Sequence, residues 1–390
     1  MSAPDTISAA LSGGASESLP GGVHSRRVVF IDLARALAAL FMLYGHTVSA
    51  LLAPHYQTGT WFDIWTFQRG LTSTLFLLLS GFAFSIATGR HWGSHDRFSP
   101  AVVRRVRRFS LFVLLGCGLH FPVARFVELP HATAEGWRAF LAVDVLQLIG
   151  VTFILVQVLV MLTRTRPAFG WTALVLAVLV VVLTPLSWSI DWAGRLPLFV
   201  ASYLTPATGS VFPIFPFSAY VLLGAALGQW YLRWGTVRHD WYAGVALLLP
   251  GIVLVASALA VKWVLGNEAW ASVPNLVVVR TGASLILLAA IARASQRVTH
   301  LPHVFGAVAQ ETLLIYFVHL CIVYGSVWNR GLVQIYGQTL EPGQTVLAVA
   351  ALLTAMGALA FYWNWWKHTR PRLARWTAVA AGSLLIFRLL

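Results

Sequence analysis

Charge is what this chain has least of. Only 10% of its residues are Asp, Glu, Lys or Arg, against about 25% in ordinary soluble domains, and that shortfall excludes a soluble globular class. Cysteine is nearly absent as well. The two present, Cys117 and Cys321, each lie within an apolar segment, so neither a disulfide framework nor a metal site is expected. Acidic residues number 13 against 27 basic ones, a net charge of +14. Nucleic acid is one reading of such an excess. The arginines, however, gather between apolar runs as topology signals do, and no aromatic-basic surface motif accompanies them. Nucleic acid is therefore not an expected partner. Residues 1–25 hold no Lys or Arg and no apolar core; they read as a flexible tail and not as a secretory signal, which leaves the first span uncleaved. The HExxH, Walker A, GxSxG and CxxC motifs are missing too, which speaks against a metalloprotease, an ATPase and an α/β-hydrolase.

Hydrocarbon is what the chain has in abundance: 58% hydrophobic residues and a mean hydropathy of +0.76. The expected fold is all-α, a polytopic transmembrane helix bundle. About ten segments are long enough to cross a ~30 Å hydrocarbon core, near 28–50, 67–88, 109–124, 139–162, 168–187, 211–232, 241–265, 276–295, 304–327 and 344–366. One membrane domain would thus occupy 26–390, with 377–390 too short to span and read as a short C-terminal helix. Alternate connections hold Arg26 and Arg27; Arg90, Arg97 and the RRVRR run at 104–108; Arg164 and Arg166; Arg233 and Arg238; Arg293 and Arg297; then Lys367, Arg370, Arg372 and Arg375. The opposite set holds only Arg125, Arg138, Arg195 and Arg330, with Arg69 at a span edge. That asymmetry predicts a cytoplasmic N-terminus. Trp61, Trp65, Trp188, Trp192 and Trp328 fall in the outer loops, where they fit an interfacial belt or a stacking surface for a sugar ring.

The most informative stretch is IDLARALAALFMLYGH, residues 31–46, in which Asp32, Arg35 and His46 interrupt an apolar helix. An ionisable group in a spanning helix is costly and marks a functional site by default. Arg35 and His46 are eleven residues apart, about three turns, so they share one stripe at heights roughly 16 Å apart, and Asp32 falls about 40° from His46. An imidazole titrates near neutrality and can take a proton from a hydroxyl or amine and return it. Arg35 keeps its charge and needs an anion, carbonyl oxygens or water; Asp32, three residues earlier, is a local partner. Two readings of that pair stay open: a contact that fixes the helix, or a device that orients Arg35 toward a ligand.

Other polar groups at membrane depth include Ser80, Asp144, Arg280, Glu311, Tyr316 and His319. The cheapest way to satisfy them is a shared central site that binds substrate. Ser80-Gly81 in LFLLLSGFAFS also suits close helix packing, and Ser80 is not taken as a nucleophile. Arg104, Arg105 and Arg108 in the RRVRR run serve topology or anionic lipid, or gather donor phosphates at the cytoplasmic face. His55, His120 and His131 flank outer span ends, and His55 is the reserve catalyst.

The segment Arg27–His46 resembles the opening helix of integral-membrane acyltransferases: the acyltransferase-3 family and the related catalytic domain of heparan-α-glucosaminide N-acetyltransferase. In that group an Arg precedes a catalytic His by eleven positions, as Arg35 precedes His46. LFLLLSGFAF (75–84), VDVLQLIGV (143–151), FPIFPFSAYVLLGAALG (212–228), RTGASLILLAAI (280–291) and FGAVAQETLLIYFVHLCIVYG (305–325) follow in order, three of them closer to the heparan-enzyme branch. The heparan enzyme has been assigned a histidine in the outer loop after its first span, and here that loop offers His55 without a close motif match. The resemblance implies transfer of an acyl group, commonly acetyl from acetyl-CoA, to a hydroxyl or amine of a carbohydrate or other envelope acceptor across the membrane. No metal is expected, as the two cysteines already indicate. His46, Arg35 and Asp32 would be catalytic, the bilayer the host, and a bacterial cytoplasmic (inner) membrane the location. The oligomeric state stays open between monomer and homodimer. The alternative is a transporter or flippase that uses the buried Arg, His and Asp residues as a substrate or proton pathway.

Overall fold

The computed structural model describes residues 28–298 and 302–390; the expected tail over 1–25 lies outside them. Sixteen α-helices follow in order among the described residues. The first eight are α1 (Val29–Leu51), α2 (Thr60–Arg90), α3 (Pro100–Leu119), α4 (Ala134–Leu141), α5 (Val145–Thr163), α6 (Arg166–Ser189), α7 (Leu198–Leu204) and α8 (Ile214–Trp230). Then come α9 (His239–Trp241), α10 (Leu249–Ala271), α11 (Val273–Ser295), α12 (His303–Gln310), α13 (Thr312–Val323), α14 (Leu332–Tyr336), α15 (Pro342–Thr369) and α16 (Pro371–Phe387). Among the described residues one strand pair forms, β1 (Gly325–Ser326) with β2 (Asn329–Arg330), an antiparallel clip of two residues a side. The fold is all-α, as the composition implies.

The helix starts follow from local chemistry. Ser99 before Pro100 and Thr165 before Arg166-Pro167 accept from the backbone N–H groups three residues on, those of Val102 and Ala168, the usual solution for a helix whose first turn has no internal acceptors. Asp144 does the same for α5: its Oδ1 accepts from the Val145 N–H at 2.7 Å, and Gln147 Oε1 accepts from the Asp144 N–H at 3.3 Å. A residue that looked from the sequence like a polar group within a span is therefore a helix cap at a span's end.

Packing between helices rests on small residues. In a bilayer the lipid tails are as apolar as leucine, so close approach and dispersion contacts carry helix association. Helices α2 and α8 are in closest register at Gly81, set on the Val221 carbonyl, and at Gly224, set on the Leu78 carbonyl; a Cβ at either place would lie 1.9 Å from that oxygen. Gly81 therefore packs in this seam, while Ser80 beside it donates back to the Phe76 carbonyl at 2.8 Å. Gly251 and Gly282 serve α10 and α11 in the same way.

Not all ten expected spans coincide with a long apolar helix. Among the described residues, seven helical runs are long and apolar enough to cross a membrane: α1, α2, α5, α6, the continuous run His239–Ala271, α11 and α15. Helices α12 and α13 bend by 78° at Gln310–Glu311 and make an eighth only as one broken span. Of the ten segments expected, two others are not among these runs. Helix α3 carries Arg104, Arg105, Arg107 and Arg108 in its first half, charges that hydrocarbon does not tolerate. Helix α8 has 17 residues, about 26 Å at 1.5 Å per residue, and continues through a π-helical turn, Tyr231–Gly235. The apolar C-terminal stretch belongs to a longer helix, α16, which begins at Pro371.

Candidate active site

Helices α1, α2, α5, α11 and α13 converge around two cavities. The first, of about 410 Å³, is lined by His46 of α1, Arg69 and Gly70 of α2, the cap residue Asp144, Arg280 of α11, and Tyr316 and Tyr324 of α13 and its end, among others. The second, of about 330 Å³, is lined by Arg35 of α1, Ser80 of α2, Arg105 and Arg108 of α3, and Thr312 of the α12–α13 break. Two residues line both: Phe76 and Tyr316. Their rings stand 6.3 Å apart, tilted by 23°, and form a septum.

In the histidine cavity, the Nδ1 of His46 is buried without a hydrogen-bond partner. The ring meets His319 edge-on at 5.2 Å and Tyr324 at 5.4 Å. His319 is fully buried and lines neither cavity. Its Nδ1–H donates to the Ile315 carbonyl at 2.8 Å, which leaves Nε2 as a lone-pair acceptor; that atom too is buried and unpartnered. His319 therefore stands behind His46 rather than in the wall. Asp144 Oδ2 accepts from the Tyr316 hydroxyl at 3.2 Å and lies 3.7 Å from His120 Nε2, so its oxygens are already served by protein. The two guanidiniums of this cavity are not paired with acid in any ion pair among the described residues. Arg69 donates to Ser49 Oγ at 2.5 Å and lies over Trp65. Arg280 rests where Gly70 leaves room, since a Cβ there would come within 2.6 Å of the guanidinium carbon, and its Nε is buried without a partner.

The arginine cavity has no Asp or Glu in its lining. Arg35 donates to Thr312 Oγ1 at 3.3 Å and is attracted by Asp32, which itself lines neither cavity. Arg105 is held more firmly, by Thr88 Oγ1 at 2.8 Å, Gln157 Oε1 at 3.2 Å and the face of Phe84 at 4.9 Å. Arg105 and Arg108 also border a depression of about 410 Å³ with His91, His95 and Arg104. In that loop, burial together with the neighbouring charges of Arg105 and His91 pulls His95 down to about 4.

The sequence-predicted residues thus divide. His46, Asp144, Arg280 and Tyr316 share one cavity; Arg35, Ser80, Arg105 and Arg108 share the other, with Tyr316 common to both. Arg104 faces only the outside depressions. Glu311 belongs to neither site: its carboxylate is 2.6 Å from Lys367 Nζ and accepts from Asn364 Nδ2 at 3.0 Å, both on α15. His55 lines neither cavity and sits exposed on a short 3-10 turn against Tyr56. Three members were not foreseen. Arg69 read as a span-edge charge, although its place one turn after Trp65 is a usable signal. Phe76 and Tyr324 had no signal among 23 Phe and 10 Tyr. Among the described residues, no three of His, Cys, Asp and Glu come together as a metal site requires.

A helical membrane bundle that sets a basic cavity against a histidine cavity across two aromatic rings has the form of an intramembrane group-transfer enzyme. The family model for the catalytic region of heparan-alpha-glucosaminide N-acetyltransferase matches residues 27–261. The chain belongs to that family of membrane acetyltransferases. The match runs from the foot of α1 into α10, so Arg280, Tyr316 and His319 lie beyond it. Comparison with curated proteins found no match.

Proposed function

We propose that this protein transfers an acetyl group from acetyl-CoA in the cytoplasm to a hydroxyl or amine of a carbohydrate or similar envelope acceptor on the far side of a bacterial cytoplasmic membrane. One observation carries the reading: an acid-free cavity lined by Arg35, Arg105 and Arg108 adjoins the His46 cavity, and Phe76 and Tyr316 line both. The loop charges support an orientation with the arginine cavity toward the cytoplasm. Phosphates of the donor pair with Arg35 and Arg108, with Arg105 as the firmer wall. Arg35 and His46 are separated by about 16 Å of helix, which the thin pantetheine arm bridges past the septum to bring the thioester to His46.

His46 then takes the proton of the acceptor O–H or N–H as the acceptor lone pair attacks the thioester carbonyl carbon. The tetrahedral centre collapses, the C–S bond breaks, and the coenzyme A thiolate leaves and recovers the proton from the imidazolium. A developing oxyanion needs a donor already in place; the unpartnered Nε–H of Arg280 is the group available in this cavity. Arg69 remains for the acceptor. His55, exposed and outside both cavities, has no part in this chemistry.

The test supplies labelled acetyl-CoA to the cytoplasmic face of sealed vesicles and follows label into the glycan fraction. His46→Ala should lower transfer by about 10²–10⁴-fold, the usual contribution of a general base, with the protein still folded in the membrane. Near-normal transfer by that variant overturns the assignment. Solute movement without any thioester consumption in the wild type would favour a transporter in its place.

A further inference from the structure

A cavity of about 300 Å³ lies away from the two central ones, where the start of α6 meets the end of α8. Arg166 and Trp171 of α6, Trp230 of α8 and Arg233 of the π-helical turn beyond it are in its lining, which holds no Asp or Glu. Helix α6 is one of the long apolar runs, and only 28% of its apolar window is buried inside the protein, so most of its length faces lipid. Arg166 is its first residue and Trp171 follows five residues on, about 8 Å along the axis. The cavity therefore sits at the depth of the phospholipid headgroups, where tryptophan anchors a span and arginine meets anionic lipid.

Its donors are held in place but not used up. Arg166 Nη2 donates to the Gly89 carbonyl at 2.6 Å, at the end of α2, which leaves most of its five N–H groups free for a ligand. The Arg233 guanidinium lies over the Trp234 ring at 4.9 Å, and neither arginine takes part in an ion pair among the described residues. Trp171 and Trp230 meet edge-on at 5.5 Å. From Trp171 the exposed Val175, Val178 and Val182 continue one apolar strip toward the middle of the span. Two guanidinium forks suit the oxygens of a phosphodiester, and the strip suits a hydrocarbon chain; a free anion would use only the forks. We propose that this cavity binds the phosphodiester headgroup of an anionic phospholipid, with an acyl chain laid along the Trp171–Val182 face of α6. The bound headgroup joins α6 to α8 and, through Arg166, to the end of α2. None of this depends on the acetyl-transfer reading.

The test places the full-length protein in phosphatidylcholine nanodiscs with increasing phosphatidylglycerol, part of which carries a diazirine on its headgroup. Crosslinks to residues 166–171 and 229–233 are read by mass spectrometry at constant ionic strength, each variant on the segment it leaves unchanged. A charge-assisted hydrogen bond is worth about tenfold or more in affinity. Arg233→Gln should therefore weaken phosphatidylglycerol binding by about that factor, and Arg233→Lys by less. Arg238 follows in the same turn, exposed and outside the lining; Arg238→Gln loses only the general attraction of an anionic surface, about fivefold at most. Trp171→Ala keeps both arginines and should still lower the labelling, and a matching phosphatidylcholine probe should label weakly. Equal labelling by the two probes overturns the proposal, as do equal losses in Arg233→Gln and Arg238→Gln or full labelling in Trp171→Ala. Displacement of the label by excess inorganic phosphate would mark a site for free anions and overturn the lipid assignment.

Discussion

Arg35→Gln is the substitution that separates the two cavities most sharply. Arg35 is partly buried on α1, lines the arginine cavity, and holds Thr312 Oγ1 by a long bond of 3.3 Å. Glutamine can keep a hydrogen bond of that kind but loses the charge. A charge-assisted hydrogen bond to a donor phosphate contributes about 1.5–3 kcal/mol, and about 1.4 kcal/mol corresponds to a factor of ten. The expected loss in kcat/KM for acetyl-CoA is therefore about 10- to 150-fold. Arg104 is the control, because it is exposed and faces only the outside depressions. An exposed ion contact is worth about 0.2–1 kcal/mol, so Arg104→Gln should cost no more than about fivefold. The assay is initial rate against labelled acetyl-CoA at saturating acceptor, repeated with the acceptor varied. Arg35→Gln should leave the acceptor KM where it was, and Arg35→Lys should recover part of the donor loss. An effect no larger than that of Arg104→Gln, or one that falls on the acceptor KM, would refute a donor-phosphate role and make Arg35 a helix-fixing residue.

Much of this site was legible from one helix because the physics there is local. A spanning helix repeats every 3.6 residues, so spacing alone aligned Arg35 with His46, and the cost of buried charge said that the alignment mattered. What spacing cannot see is a wall between two residues on the same stripe. Phe76 and Tyr316 lie on different helices, and only their meeting in space turns one polar stripe into two cavities. The RRVRR run shows the same limit: at 100° per residue its four arginines cannot all share one face, and the fold sends Arg105 inward to Thr88 and Gln157 while Arg104 and Arg107 stay outside. Glu311 looked like a site residue because a carboxylate at membrane depth needs a partner. It has one, but Lys367 is on α15, out of reach of any local reading. Hydropathy likewise reported 304–327 as one span and could not register the 78° bend beside Glu311.

Three further outcomes follow from the packing and the loop charges. Arg105→Gln should lower thermal stability by about 2–3 kcal/mol, since it loses charged hydrogen bonds to Thr88 and Gln157; detergent-phase melting with Arg104→Gln alongside checks this, and equal melting points would contradict it. Gly224→Ala should destabilise by at least about 3 kcal/mol, the upper range for overpacking, because its Cβ would sit 1.9 Å from the Leu78 carbonyl oxygen. Gly357→Ala, with open space around it, should instead stabilise α15 by up to about 1 kcal/mol, so a common sign for the two would refute the packing account. The last concerns pH. His95 sits in the loop between α2 and α3, where burial, then Arg105 and His91, pull its folded value from about 6.5 to about 4. Below pH 6.5 the unfolded chain takes up a proton that the folded protein declines, so stability falls as the pH drops from about 6.5 to about 4 and levels off below that. Above pH 6.5 both states are neutral at this residue and its contribution is constant. His95→Gln removes the titrating group, so the melting temperature of that variant should fall less between pH 7 and pH 4.5 than the wild type's. Parallel curves would mean that the acid sensitivity of the fold arises elsewhere than in this loop.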